Sequence, residues 1–361
     1  MFLAMKDLKY NKSRYSLVIS ILILLTFMVL FLSGLANGLS LATSATIKNA
    51  QANYYIVSDD ADSIITRSEL TEKQLEEVST MTSGEVTPIS LMRMNMYKKD
   101  SQKKIDVTYM AVDKDSFMMP EILDGSEISG EENTILLNNS FLDEGISIGD
   151  TIIDSTSGIE MKVIGFVKDE IFAHSSVGIV SLNTFKNIRT EINPKYEVVH
   201  NALAIKGDDI DNIEIANAEI LSKDTIIKNI PGYAQEQMSI NMILWVLIIV
   251  SAVILGVFFY IITTQKLTEF GVMKALGIEM KTLATMIISQ VLILAGGSMI
   301  IGNILTFTIS GFLPSSMPFS LQLESAVIIS IAFLVISILV SLVSLRTVAK
   351  VDPLMTIGGH K

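Results

Sequence analysis

The sequence predicts an α+β membrane protein: four transmembrane helices, with a large mixed α/β domain set between the first and second spans. Three observations predict it. Four stretches, roughly residues 15–41, 238–263, 283–313 and 326–345, are apolar over the ~20 residues a helix needs to cross a bilayer core of ~30 Å. The longest polar stretch, residues 42–237, holds short β-type runs broken by turn residues. The charges are also unevenly placed. Residues 1–14, 266–281 and 346–361 hold ten Lys/Arg and four Asp/Glu, whereas the rest of the chain holds 17 basic and 34 acidic residues.

That asymmetry predicts the orientation. Basic flanks stay in the cytoplasm, so both termini and residues 264–281 are expected inside, and residues 42–237 outside a cell (plasma) membrane. Residues 1–14 begin apolar and become basic, with Phe2, Leu3, Met5 and Leu8 alternating with Lys6, Lys9 and Lys12. This predicts an interfacial amphipathic helix whose lysines face anionic headgroups. The first span is too long for a signal peptide and lacks a small-residue cleavage site, so it is expected to stay attached. Near its outer end, Gly34-Leu-Ala-Asn-Gly38 has the spacing that lets two helices approach closely in lipid. A homodimer or intrachain helix contact is expected at Gly34 and Gly38, with Ser33, Asn37 and Ser40 bonding across it.

In residues 42–237, Thr71-Glu-Lys-Gln74 fits a capping box that opens a helix with Leu75 and Val78 inward. Strands are expected at 85–97, 104–112, 134–137, 146–153, 161–167 and 177–181, between Asp-Gly, Ser-Gly and Gly-Asp turns. The pair 146–153 and 161–167 reads as two strands of a small barrel or sheet. Residues 210–227, acidic then apolar, are expected to return the chain to the membrane as a helix. Pro231-Gly232 punctuates that return, and Tyr233, Glu236 and Met238 sit at the outer lip of the second span.

Residues 264–281 form a polar insert between the second and third spans, expected as a short helix on the cytoplasmic side. Phe270, Val272, Met273, Leu276 and Ile278 keep one apolar face, Lys266, Glu269 and Lys274 break it, and Gly277 sits where a C-cap glycine belongs. The third span contains Gly296-Gly297 and Gly302. It leads to a short outer loop, 314–325, without Lys or Arg, and the fourth span ends in the tail 346–361.

Catalytic chemistry finds no support. The chain has no cysteine, hence no disulfide and no thiol nucleophile. No Gly-x-x-x-x-Gly-Lys-Ser/Thr phosphate loop occurs, no Gly-x-Ser-x-Gly elbow, and no His pair at metal-ligand spacing among His174, His200 and His360. His174-Ser-Ser176 reads as turn chemistry. No basic run is interleaved with aromatics, so nucleic-acid binding is not expected. The chain is read as a non-catalytic membrane subunit.

Glu269-Phe-Gly-Val-Met-Lys-Ala-Leu-Gly-Ile278 resembles the cytoplasmic coupling helix of FtsX/MacB-type ABC permeases. An Asp-Pro followed by apolar residues just inside the last span, at Val351-Asp-Pro-Leu-Met355, is similar to the C-terminal signature of that family. The resemblance implies that a separate cytoplasmic ABC ATPase, which carries the ATP, seats on Glu269, Gly271, Lys274, Leu276 and Gly277. It further implies a homodimer of this chain in the bilayer. Met1–Lys9, Val29–Leu39, Ala173-His-Ser-Ser176, Tyr233-Ala-Gln-Glu-Gln237 and Ile357-Gly-Gly359 are similar to the haem-export permeases of Gram-positive bacteria. That likeness implies haem as the transported substrate, with no cofactor of the chain's own and no metal beyond the haem iron. Tyr phenolate and Met thioether both ligate haem iron, which points to Tyr233 and Met238, with Met242 one turn on and Glu236 ligating weakly or orienting Tyr233. Two other readings keep parts of this architecture: a MacB-like exporter of another amphipathic cargo, and an FtsX-like mechanotransmitter that regulates cell-wall hydrolases without transport.

Overall fold

The computed structural model describes residues 10, 12–128, 133–314 and 317–349. Most of the expected interfacial helix at 1–14, and the tail matches at 351–355 and 357–359, lie outside the described residues. The chain forms two compact units, one of residues 1–38 with 239–361 and the other of residues 39–238. It passes from one to the other within helices.

The first helix, α1, runs Lys12–Asn49, eight residues beyond the expected end of its apolar stretch. The unit of residues 39–238, named the outer unit after its expected side of the membrane, follows with β1 (Tyr54–Ser58), β2 (Leu70–Thr71) and α2 (Glu72–Met81). Helix α2 opens at the expected capping box: Thr71 N–H donates to Gln74 Oε1 at 2.9 Å, and Gln74 N–H to Thr71 Oγ1 at 3.4 Å. Then come β3 (Glu85–Lys98), β4 (Ile105–Val112), β5 (Ile122–Gly125), β6 (Thr134–Asn138), β7 (Thr151–Asp154), β8 (Glu160–Val167), β9 (Ile171–Phe172) and β10 (Ser175–Ser181). Helix α3 (Leu182–Ile192), β11 (Val199–His200), β12 (Ala202–Lys206), β13 (Ala218–Ser222) and α4 (Lys223–Lys228) complete the unit.

Strand β3 is the pivot. Its residues 85–89 pair antiparallel with β12, residues 90–96 with β4, and residues 96–98 with β7. Pro88 falls where β3 has β12 as its partner and the β4 ladder has not begun, so its missing N–H costs no ladder bond there. The pairings β3–β4–β10–β6–β8–β7 return to β3 and close a six-stranded ring. A four-stranded sheet, β13–β1–β12–β3, shares β3 with it. Alternate residues of the ring strands, including Val107, Tyr109, Ile135, Leu137, Met161 and Val163, form one buried core. The intervening set, including Met110, Val112, Leu136, Val177 and Ile179, packs with Ile47, Ile226 and Ile230 in another. Strands buried on both faces read as apolar runs rather than alternations.

Two expectations are corrected here. Of the expected strand 146–153 only 151–153 is extended, within β7, because Ser147 N–H is held by the Asp150 carboxylate in a turn. Residues 210–227 do not form one helix. Residues 218–222 pair with β1 as the edge strand β13, and only 223–228 are helical. The five-residue ladder to β1 outcompetes the local helical pattern, and Asn217, at a φ of 59°, breaks the chain before it.

Helices α5 (Tyr233–Gln265), α6 (Leu267–Ala275), α7 (Met280–Ser310) and α8 (Leu323–Ala349) follow. Four helices, α1, α5, α7 and α8, are long and apolar enough to cross a membrane. Within the membrane unit they share a core of Tyr15, Leu22, Leu255, Phe259, Leu294 and Phe333. Trp245, Ile249, Val253 and Ile331 remain exposed, the surface a bilayer would cover. Within the chain, the close approach at Gly34 and Gly38 is to the loop that carries Pro318 and Phe319. A Cβ on Gly34 would lie 2.4 Å from Phe319 Cζ, and one on Gly38 2.2 Å from the Pro318 carbonyl oxygen. Ser320 N–H donates to Gly34 O at 2.9 Å on the same face.

In the outer unit, Glu170 is buried in the segment between β8 and β9. Burial, with the charge of Asp169 adding, pushes its carboxyl up to about 7. The folded state then holds a proton that the unfolded state releases near pH 4.5. Stability should therefore fall as pH rises from about 4.5 to about 7 and level off above. Glu170→Gln should remove that slope and be more stable at pH 8 by on the order of 3 kcal/mol. Thermal melts of the detergent-solubilised chain at pH 5.5 and pH 8 check it.

Candidate functional site

Strands β9 and β10 form a hairpin whose two-residue tip is Ala173-His174. Both tip residues have positive φ, 47° and 60°. That is the two-residue turn matching strand twist, usually built from Asn-Gly. With Ala and His it costs about 1–2 kcal/mol per residue. The tip is held by α1: Ala173 N–H donates to Thr43 O at 2.8 Å and His174 N–H to Ala42 O at 3.0 Å.

So docked, the imidazole reaches the first turn of α5. His174 Nε2 lies 2.7 Å from Glu236 Oε1 and 3.1 Å from Thr43 Oγ1. The Thr43 hydroxyl lies 3.1 Å from Glu236 Oε2. With Nε2 donating to the carboxylate, Nδ1 is the ring nitrogen left open to a ligand. One turn back along each helix, Ser40 Oγ meets Tyr233 OH at 3.1 Å. The Tyr233 ring packs against the core that holds Ile226 and Ile230. Glu236, in the first turn of α5, also sits at the favourable end of the helix dipole. The result is a phenol, an imidazole and a carboxylate gathered at one place by Ser40 and Thr43. Among the described residues no group of three or more His, Cys, Asp or Glu side chains is placed to hold a metal ion.

The sequence-predicted residues divide. Tyr233 and Glu236, three apart on α5, share a face and join the cluster. Met238 and Met242 do not: they are 74% and 64% exposed. At ~100° per residue they stand roughly 140° and 180° around the helix from Tyr233. The sequence reading took His174 as turn chemistry and did not name Thr43. The available signal was a three-residue polar break, His174-Ser-Ser176, between apolar runs, and hydroxyls three apart at Ser40 and Thr43.

Comparison with known proteins follows from this geometry. The family model for the MacB-like periplasmic core domain matches residues 16–223, and that for the FtsX-like permease C-terminal matches residues 241–353. The chain belongs to the FtsX/MacB-type permease family. A Staphylococcus haemolyticus protein provisionally named hemin transport system permease protein HrtB is 28% identical, covering 99% of both chains. An uncharacterized ABC transporter permease of Mycobacterium tuberculosis is 21% identical, also over 99% of both. The crystallised extracellular domain of the ABC-type transporter YknZ from Gram-positive bacteria covers 47% of this chain at 12% identity, with a TM-score of 0.35.

In this permease the insert between the second and third spans is the helix α6. Phe270 is its anchor, buried against Leu283 and Ile287 of α7. Its end is a Schellman closure: Ile278 N–H donates to Met273 O and Gly277 N–H to Lys274 O, both at 3.0 Å. Gly277 has a φ of 84°. Leu276 is 78% exposed, Glu269 and Val272 are exposed too, Lys274 is half-buried and Gly271 buried. Gly277→Ala meets no steric obstacle, so its cost is the backbone alone. It should loosen the end of α6 by about 1 kcal/mol, read as about fivefold faster amide exchange at Gly277 and Ile278.

Proposed function

We propose that this permease is the membrane subunit of a haem exporter, acting as a homodimer with a separate cytoplasmic ABC ATPase. The observation that carries the reading is the meeting of Tyr233, His174 and Glu236, brought together from α5 and the β9–β10 hairpin. Haem is a flat apolar ring with an iron centre and two carboxylates, so it partitions into the bilayer. Phenolate and imidazole are both haem-iron ligands. Tyr233 takes the iron, with Ser40 holding its oxygen, while Glu236 and Thr43 fix the His174 ring. The provisional name of the staphylococcal relatives supports the same cargo. Met238 and Met242 are thioethers that haem passes in the lipid rather than members of the ligand set.

The ATPase supplies ATP hydrolysis; this chain supplies the docking helix. Leu276 is the apolar contact offered to the ATPase, flanked by Glu269 and Lys274, while Gly271 and Gly277 shape the helix. The excess of basic residues at 1–14, 266–281 and 346–361 supports placing α6 and both termini in the cytoplasm, with the outer unit outside the cell membrane.

Haemin titration of the full chain in detergent, followed at the Soret band, tests the cargo. Wild type should show a saturable shift. Tyr233→Phe, which keeps the ring packing, should lose the ligand signature and weaken binding about tenfold or more, a loss of ~1.4 kcal/mol. An unchanged shift in Tyr233→Phe would move the site. No saturable shift in wild type would sink the haem reading and leave an exporter of another amphipathic cargo or a mechanotransmitter. For coupling, Leu276→Asp should lower ATPase co-purification about tenfold while leaving haemin binding intact.

A further inference from the structure

The outer unit carries a half-open groove of about 530 Å³ that the cluster does not use. That volume is in the range of small-molecule sites, about 300–1,000 Å³. Its floor is apolar, with buried Leu91, Phe172 and Phe185. Its charged groups are Arg93, Arg189 and the exposed Glu69, so the two guanidinium groups outnumber the one carboxylate. Ala173 and Pro231 line it as well, beside His174 and two residues before Tyr233 in the chain.

Arg189 is the unusual residue. Residues 39–238 contain 33 Asp/Glu and 17 Lys/Arg, so carboxylate partners are abundant in this unit. Among the described residues, however, none lies within ion-pair distance of Arg189. The guanidinium is instead fixed by neutral groups: its Cζ sits 4.7 Å over the Tyr196 ring, and Nη1 donates to Met92 Sδ at 3.5 Å. Arg93 does have a partner, Asp106, at 3.4 Å, but both side chains are more than half exposed. Such a pair contributes little and exchanges easily. A pre-oriented guanidinium fork beside a looser second one, over an apolar floor, fits a planar apolar molecule bearing two carboxylates.

We infer that this groove is a second haem site, which takes the porphyrin carboxylates on Arg189 and Arg93 and the ring over Leu91, Phe172 and Phe185. The inference rests on the haem reading and extends it from the iron to the carboxylates. Recognition here is by carboxylate and ring, not by metal: the Met92 sulfur faces Arg189, and the Tyr196 hydroxyl donates to Val199 O at 3.3 Å. The groove therefore binds a porphyrin with or without iron, while the Tyr233 cluster requires the iron. It gives haem an apolar bed on the outer unit once Tyr233 lets go of the iron.

The test uses the full chain in detergent with metal-free protoporphyrin IX and its dimethyl ester, followed by fluorescence anisotropy, beside the haemin Soret titration. Protoporphyrin IX should saturate on wild type and on Tyr233→Phe alike, and the ester should bind about tenfold more weakly. Arg189→Gln should weaken protoporphyrin about tenfold and bind acid and ester equally, while keeping the haemin Soret shift. Arg189→Lys, which keeps the charge but not the fork, should recover part of the loss. Equal binding of acid and ester to wild type, or wild-type protoporphyrin affinity in Arg189→Gln, overturns the groove. If haemin still saturates in either case, only the groove fails. If neither porphyrin saturates on wild type, the haem reading fails with it.

Discussion

Two amide protons hold the candidate site together. Ala173 and His174 donate to the carbonyls of Thr43 and Ala42, in the body of α1. Those carbonyls can take a second donor because each oxygen has two lone pairs, of which the helix uses one. The hairpin tip needs the help, since its two left-handed residues are neither Gly nor Asn. At about 1 kcal/mol per bond, the two contacts offset much of the strain of the turn. Strained backbone of this kind concentrates where a side chain must be aimed. Here the side chain aimed is the imidazole, and its target is a carboxylate on α5, 62 residues further along the chain.

The ring of strands is what makes that aim possible. Strand β10 lies between β4 and β6, paired parallel with one and antiparallel with the other. Its residues 175 and 176 carry on beyond those ladders to make the short hairpin with β9. The tip therefore projects from an inner strand of a closed ring rather than from a loose edge. Burial on both faces fixes the register of the supporting strands, because a slip of one residue would exchange the two cores. The same hairpin contributes Phe172 and Ala173 to the groove that holds Arg189. One short element thus walls two places of different chemistry, one with a phenol, an imidazole and a carboxylate and one with two guanidinium groups.

What could be read from the sequence, and what could not, follows from the range of the interactions. The four spans were legible because a helix in lipid satisfies its own backbone, so length and apolarity suffice. The capping box at Thr71 and the C-cap at Gly277 were legible because both are set by residues a few positions apart. Strands β1, β5, β12 and β13 were not, because their pairing depends on partners far away: Tyr54 pairs with Ile205 and with Ser222. The helix expected at 210–227 failed for the same reason, its apolar end being claimed by β1. Of the residues read as candidate ligands, the structure brings together only some. Tyr233 and Glu236 were found by their place at the start of a span. His174 was read as turn chemistry, because its partners Thr43 and Glu236 lie 131 and 62 residues away along the chain. Met238 and Met242 looked suitable by proximity in the chain, but helical rotation turns them from the cluster.

The same long-range logic bears on how work would reach the site in the proposed exporter. Helix α6 has one large buried side chain, Phe270, packed against Leu283 and Ile287 of α7, and an exposed apolar C-cap, Leu276. A partner that pulls on Leu276 would move α6 as a body, because the Schellman closure ties the carbonyls of Met273 and Lys274 in its last turn to the amides of Ile278 and Gly277. Only Lys266 separates α6 from α5. Helix α5 then runs without a proline from Gln265 back to Tyr233, so it lacks the usual cause of a sharp kink. Its other end carries Tyr233 and Glu236, whereas Ser40 and Thr43 belong to α1. A small tilt or rotation of α5 relative to α1 would lengthen the Glu236–His174 and Tyr233–Ser40 contacts together, since both join these elements at the same turn. Hydrogen bonds weaken steeply beyond their normal length, so a modest movement would release both the ring orientation and the phenol oxygen at once. In the proposed exporter, a site built from contacts between α5 and the α1-docked hairpin would be one that movement of α5 opens.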